Sequence, residues 1–234
     1  MGQLSQIPMI LSGMQDRIIN GQFFFDQINE GAVQNIPAAN GTYQALDCWS
    51  IVRNNVTSGA FASQQLGPVA GSPFARRWTF TFAGGLPDTE FCTLRHIVEG
   101  SLLDIFTPFT SGGSQTALFT FAPIFSNVGP LGAFIPVTFT SLSTGFVYAT
   151  LAYYSPFQVV GSFQTLAVAV PMNQTMSFGN GGIGSGQFQI DIHMTPGLAN
   201  LMPQASTNQW VNPAGGIVAP GGTSVNSVPG SVAN

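Results

Sequence analysis

The chain of 234 residues carries five arginines, nine carboxylates and no lysine, so only 6% of it is charged and its net charge is −4. An ordinary soluble domain is about 25% charged. With Arg76-Arg77 as the sole basic pair there is little to neutralise phosphates, which excludes nucleic acid and an anionic lipid surface as partners. The 44% hydrophobic content, 20 phenylalanines included, can fill a large core. The 28 glycines and 16 prolines stay below the roughly 25–30% that marks low-complexity disorder.

Residues 1–15 are uncharged and end at Gly13-Met14, which suits an N-terminal arm or connector. They lack a basic leader region, and Pro8 interrupts their apolar stretch, so they make a poor signal peptide. Gln6 stands where N-myristoylation wants Ser or Thr. No run approaches 18 apolar residues, and no paired aromatic girdles mark a membrane barrel, so no membrane insertion is expected.

From Arg17 the chain reads as strands. Residues 17–25 are β-branched and aromatic, and residues 46–53 follow an Asn40-Gly41 turn signal. Residues 74–82 place Trp78, Phe80 and Phe82 on one face and Arg77, Thr79 and Thr81 on the other. Residues 89–99 fit either a strand or a short helix. Further strands are expected at 117–125, 134–141, 146–154, 159–170 and 186–194, each bounded by Gly, Pro, Asn or Ser. No segment offers twelve residues of helical periodicity free of Gly and Pro. About nine short strands predict an all-β fold, a jelly-roll-like β-sandwich over residues 16–202. Residues 203–234 form a Gly/Pro-rich C-terminal segment that can add edge strands at Val211 or Ile217-Val218 but not a second core.

The charge is unevenly spread: 13 of the 14 charged residues lie between Asp16 and Asp104, and Asp191 stands alone after them. Two readings are open. Extracellular β proteins can have this composition as a habit, or the charge-poor surface is covered by neighbouring subunits, where charge is costly at an interface core. Both point away from a freely diffusing enzyme.

Chemistry-bearing groups are sparse. Asp88 and Glu90 could share a strand face, as a glycan hydrolase would need, but Pro87-Asp88 reads equally as a turn. Asp26 and Glu30 flank a loop, where a side-chain cap on the turn is the ordinary role. Cys48, Cys92, His96 and His193 could nominally ligate zinc, at a spacing that matches no compact knuckle. Cys48 and Cys92 can pair, or act as small buried hydrophobes. Nothing here argues for catalysis, so no enzyme activity and no cofactor are expected.

The stretch Asp16-Arg-Ile-Ile-Asn-Gly-Gln-Phe-Phe-Phe-Asp-Gln27 resembles the opening of a large family of tailed-phage and prophage virion proteins with carbohydrate-binding-like β-sandwich modules. The resemblance continues through Glu30-Gly31, Tyr43, the pair Asp47 and Trp49, and Leu94-Arg-His-Ile-Val-Glu-Gly100. It departs at Cys48, where the family carries Arg, and in lacking a Gln-Leu-Glu closing strand. Within the matched motifs, Ile18, Phe23 and Trp49 are expected to fill the core. Ile19 extends the first strand, and Asn20-Gly21 allows a tight bend. Asp47 should accept backbone donors, and Ile97, Glu99 and Gly100 complete the second motif.

What the resemblance implies is a virion component on the particle surface, of tail-fibre or receptor-binding type, with possible recognition of a host-surface glycan. Tyr153, Tyr154 and Trp210 are candidate stacking platforms. Other virion proteins are the expected partners. Either the sandwich closes differently or a neighbour supplies the missing edge, and the second case favours a homo-oligomer, a trimer above other states. The alternative is a capsid decoration protein, for which an anchoring arm and an uncharged half are suited. A polysaccharide-degrading enzyme using Asp88 and Glu90 is the third reading.

Overall fold

The computed structural model describes residues 26–37, 39–54, 60–67, 75–81, 91–99, 115–123, 133–142, 145–155, 164–172, 186–196, 201–202, 208–212 and 219–220. The expected strand at 17–25 lies outside them, and with it Ile18, Ile19, Asn20, Gly21 and Phe23. Gly100, Asp88 and Glu90 are also outside, as is the arm at 1–15.

The chain is all-β. Its strands are β1 (Gln34–Ile36), β2 (Gly41–Leu46), β3 (Trp49–Asn54), β4 (Ala60–Leu66), β5 (Ala75–Thr81), β6 (Phe91–Glu99) and β7 (Gln115–Phe121). They continue with β8 (Ala133–Ser141), β9 (Val147–Tyr154), β10 (Leu166–Met172), β11 (Gly186–Pro196), β12 (Leu201–Met202), β13 (Trp210–Val211) and β14 (Ala219–Pro220). No helix occurs among the described residues. The main sheet has seven strands in the order β13-β9-β8-β11-β6-β3-β2, with every neighbouring pair antiparallel. Strands β1, β4 and β5 make an antiparallel three-stranded sheet, β7 and β10 an antiparallel pair, and β12 and β14 a two-residue parallel contact.

Period-two alternation decides which face of the main sheet is apolar. Along β11, Phe188, Ile190 and Ile192 point one way and Gln189, Asp191 and His193 the other. Register places Ile190 between Phe139 of β8 and His96 of β6. Phe139, Val137, Tyr148, Ala152, Tyr154 and Val98 therefore share the apolar face with Phe188 and Ile190. Strand β10 covers it, burying Leu166, Val168 and Val170 while Ala167 and Ala169 face outward. From β7, Phe119 meets Phe139 edge-on at 5.5 Å. The result is a sandwich-like layering, each large buried side chain contributing roughly 2–3 kcal/mol.

Several expected elements shift. The single strand expected at 46–53 is a hairpin: β2 ends at Leu46, the chain turns at Asp47-Cys48, and β3 begins at Trp49. Cys48 takes φ 68, a left-handed conformation that its side chain does not advertise. Residues 91–99 are a strand, and a central one, flanked by β3 and β11. β4 (Ala-Phe-Ala-Ser-Gln-Gln-Leu) lacks β-branched residues and is held by pairing to β1 and β5 on both sides. In the C-terminal segment Val211 joins a strand with Trp210 against β9, a further short strand lies at Ala219–Pro220, and Ile217-Val218 lie outside the described residues.

Candidate functional site on the polar sheet face

The second face of the main sheet is polar yet largely closed to water. Across four neighbouring strands one row reads Ser50, Arg95, Asp191, Thr138, and the next reads Ile97, Gln189, Thr140. Asp191 stands directly opposite Arg95 in the ladder. The guanidinium donates from Nε to Asp191 Oδ1 at 2.8 Å and from Nη2 to Oδ2 at 3.0 Å, a fork-to-fork pair. Gln189 Nε2 donates to the same Oδ2 at 2.7 Å. The Asp191 side chain is 3% exposed and that of Arg95 19%. The isolated carboxylate of the second half is thus neutralised by an arginine of the first.

One residue pair further along β11 lies His193, fully buried. Its Nδ1 is 2.9 Å from Thr93 Oγ1 and its Nε2 2.8 Å from Thr138 Oγ1. A neutral imidazole fits, with one nitrogen donating to a threonine and the other accepting from the second. Burial pushes the His193 pKa down to about 4; Asp191 opposes that shift and Arg95 adds to it. A ring held at both nitrogens has no lone pair left for a metal or a reacting proton.

On the apolar side, His96 packs against Trp49 with tilted rings whose centroids are 4.7 Å apart, and its Nδ1–H donates to the Cys48 carbonyl at 2.9 Å. His96 and Cys92 share that side, opposite His193, so the four nominal zinc residues do not converge. Among the described residues no group of three or more His, Cys, Asp or Glu could hold a metal ion. Cys48 is exposed, Cys92 is buried, and no disulfide joins them.

The motif residues hold the β2–β3 corner together. Trp49 is buried. Asp47 Oδ2 accepts the Gln27 backbone N–H at 2.7 Å. Asp26 caps its own turn, accepting the Asn29 N–H at Oδ1 and the Gly31 N–H at Oδ2. Ile97 is 45% exposed on the polar face, and Glu99 closes β6.

The three candidate stacking aromatics separate. Tyr154 is corrected: it is 2% exposed and packed in the core, because its place on β9 falls on the apolar face opposite Ala133. Trp210 is half-buried, packed against Tyr148 and Phe188, and its indole N–H donates to the Pro171 carbonyl. Tyr153 alone is open to solvent, 45% exposed beside its cross-strand partner Phe134 at 5.0 Å.

The Arg95–Asp191–Gln189 cluster and the His193 bridge were not singled out from sequence. Their one signal was the isolation of Asp191, since a buried carboxylate needs a cation whose position only strand pairing supplies. No known family model matches the chain, and no curated protein or solved structure shows significant similarity to it.

Proposed function

We propose that the chain is a non-enzymatic structural component of a tailed-phage particle. It is a surface appendage of tail-fibre or receptor-binding type, built on a jelly-roll-like sandwich, assembled as a homo-oligomer (a trimer above other states) and meeting a host-surface glycan. One observation carries this reading. Residues 105–234 contain a single formally charged side chain, Asp191, and it is buried and paired with Arg95. His193, the sole histidine of that half, is buried and neutral. These 130 residues therefore place no charged side chain on the surface. A free monomer normally keeps interspersed charges for solubility, whereas the core of a protein interface sheds them. Such a half is suited to repeated contact with neighbouring subunits.

Quantitative mass spectrometry of purified particles against the major capsid protein tests the reading. Up to a few tens of copies are expected for an appendage. Hundreds would instead favour capsid decoration, and absence from the particle would overturn the virion reading.

A further inference from the structure

We propose that the partly exposed stretch of the polar sheet face, floored by Arg95, Gln189, Ser50, Thr140 and Ile97, is the binding site for a neutral, hydroxyl-rich glycan. The inference rests on the appendage reading only for where the ligand is met; the site is argued from its own atoms. Arg95 spends two of its five N–H donors on Asp191, and its remaining three have no partner among the described residues. Gln189 is anchored through Nε2 to the same carboxylate, leaving Oε1 as an acceptor without a donor among the described residues. The Ser50 and Thr140 hydroxyls likewise make no hydrogen bond among the described residues. Ser50, Arg95, Thr140 and Gln189 are each partly exposed. Ile97, 45% exposed in the row of Gln189 and Thr140, adds an apolar spot beside them.

The ligand class follows from charge and from rigidity. Arg95 and Asp191 cancel, so an anion gains little at this floor, and none of the other groups is ionised. What remains is a fixed set of donors, an acceptor and two hydroxyls that serve as either, which is the complement of a sugar's vicinal hydroxyls. Asp191 pre-orients both the guanidinium and the amide, so little side-chain freedom is lost on binding. Ile97 offers contact to a C–H face of a pyranose ring.

The test is an array of neutral hexose and N-acetylhexosamine oligosaccharides beside sialylated and uronate-containing ones, probed with the full chain, with retained glycans re-measured by NMR titration. Neutral glycans should be retained, with no gain from acidic groups. The Ser50→Ala/Thr140→Val pair and, separately, Arg95→Lys should each weaken binding at least tenfold. The unfolding midpoint of the first variant should not move, and Arg95→Lys keeps a cation opposite Asp191 while removing the fork. Retention of acidic glycans alone would overturn the assignment. So would neutral binding that survives both variants and is lost in Tyr153→Ala, which would move the ligand to the Tyr153–Phe134 pair. Retention of no glycan would also overturn it, and particle copy number would then show separately whether the appendage reading stands.

Discussion

At the residue scale the sharpest test concerns His193. Its folded pKa, about 4, lies below the unfolded value near 6.5, so the folded state resists the proton that the unfolded state takes up. Above pH 6.5 both states are neutral and the group contributes no pH dependence. Between 6.5 and 4 stability should fall as pH falls, by about 3 kcal/mol in total. Urea unfolding at pH 7, 5.5 and 4.5 checks this against His193→Gln, whose curve should lack that component; parallel curves would show that His193 is not the source. Cys48 gives a second test at this scale. It holds φ 68 while exposed at a hairpin turn, where glycine is unstrained. Cys48→Gly should stabilise the protein by about 0.5 kcal/mol, the relief of left-handed strain exceeding the entropy cost of glycine. A lower denaturant midpoint would contradict that.

At the element scale the β8–β9 hairpin sets the register of the central sheet. Its turn is closed by Gly145 N–H to the Ser141 carbonyl at 2.8 Å and Ser141 N–H to the Phe146 carbonyl at 2.9 Å, with Gly145 at φ 74. A Cβ at Gly145 meets nothing closer than Asn212 Oδ1 at 3.9 Å, so space is not the constraint and backbone strain is. Gly145→Ala should cost about 1–2 kcal/mol by chemical denaturation while leaving the sheet signal in circular dichroism unchanged. The same logic explains which elements were legible in advance. Strands β8, β9 and β11 carry β-branched and aromatic residues bounded by turn formers, and each falls within a residue or two of its expected span. Strands β1 and β4 carry no such pattern and exist through their partners. The β2–β3 turn was hidden because neither Asp47-Cys48 nor its flanks contain glycine or proline.

At the scale of the whole molecule the question is what an uncharged half is for. Leu118 on β7 is 68% exposed on the outer side of the β7–β10 pair, away from the core. Leu118→Lys should change the stability of the isolated chain by no more than about 0.5 kcal/mol. Under the assembly reading it should reduce incorporation into particles, measured by copy number. Normal incorporation with unchanged stability would leave that surface outside any contact.

Composition and alternation by themselves determined that this chain is built from strands around an aliphatic and aromatic core and that its second half carries almost no charge. Those properties are local: a residue's apolarity and its parity along a strand are written in the order of the chain. The pairing of Asp191 with Arg95, the seating of His193 between Thr93 and Thr138, and the burial of Tyr154 beside an exposed Tyr153 were decided by tertiary structure. The first two depend on register between strands distant in sequence and the third on which face of β9 the strand β10 covers, and a slip of one residue would send those side chains to the other face.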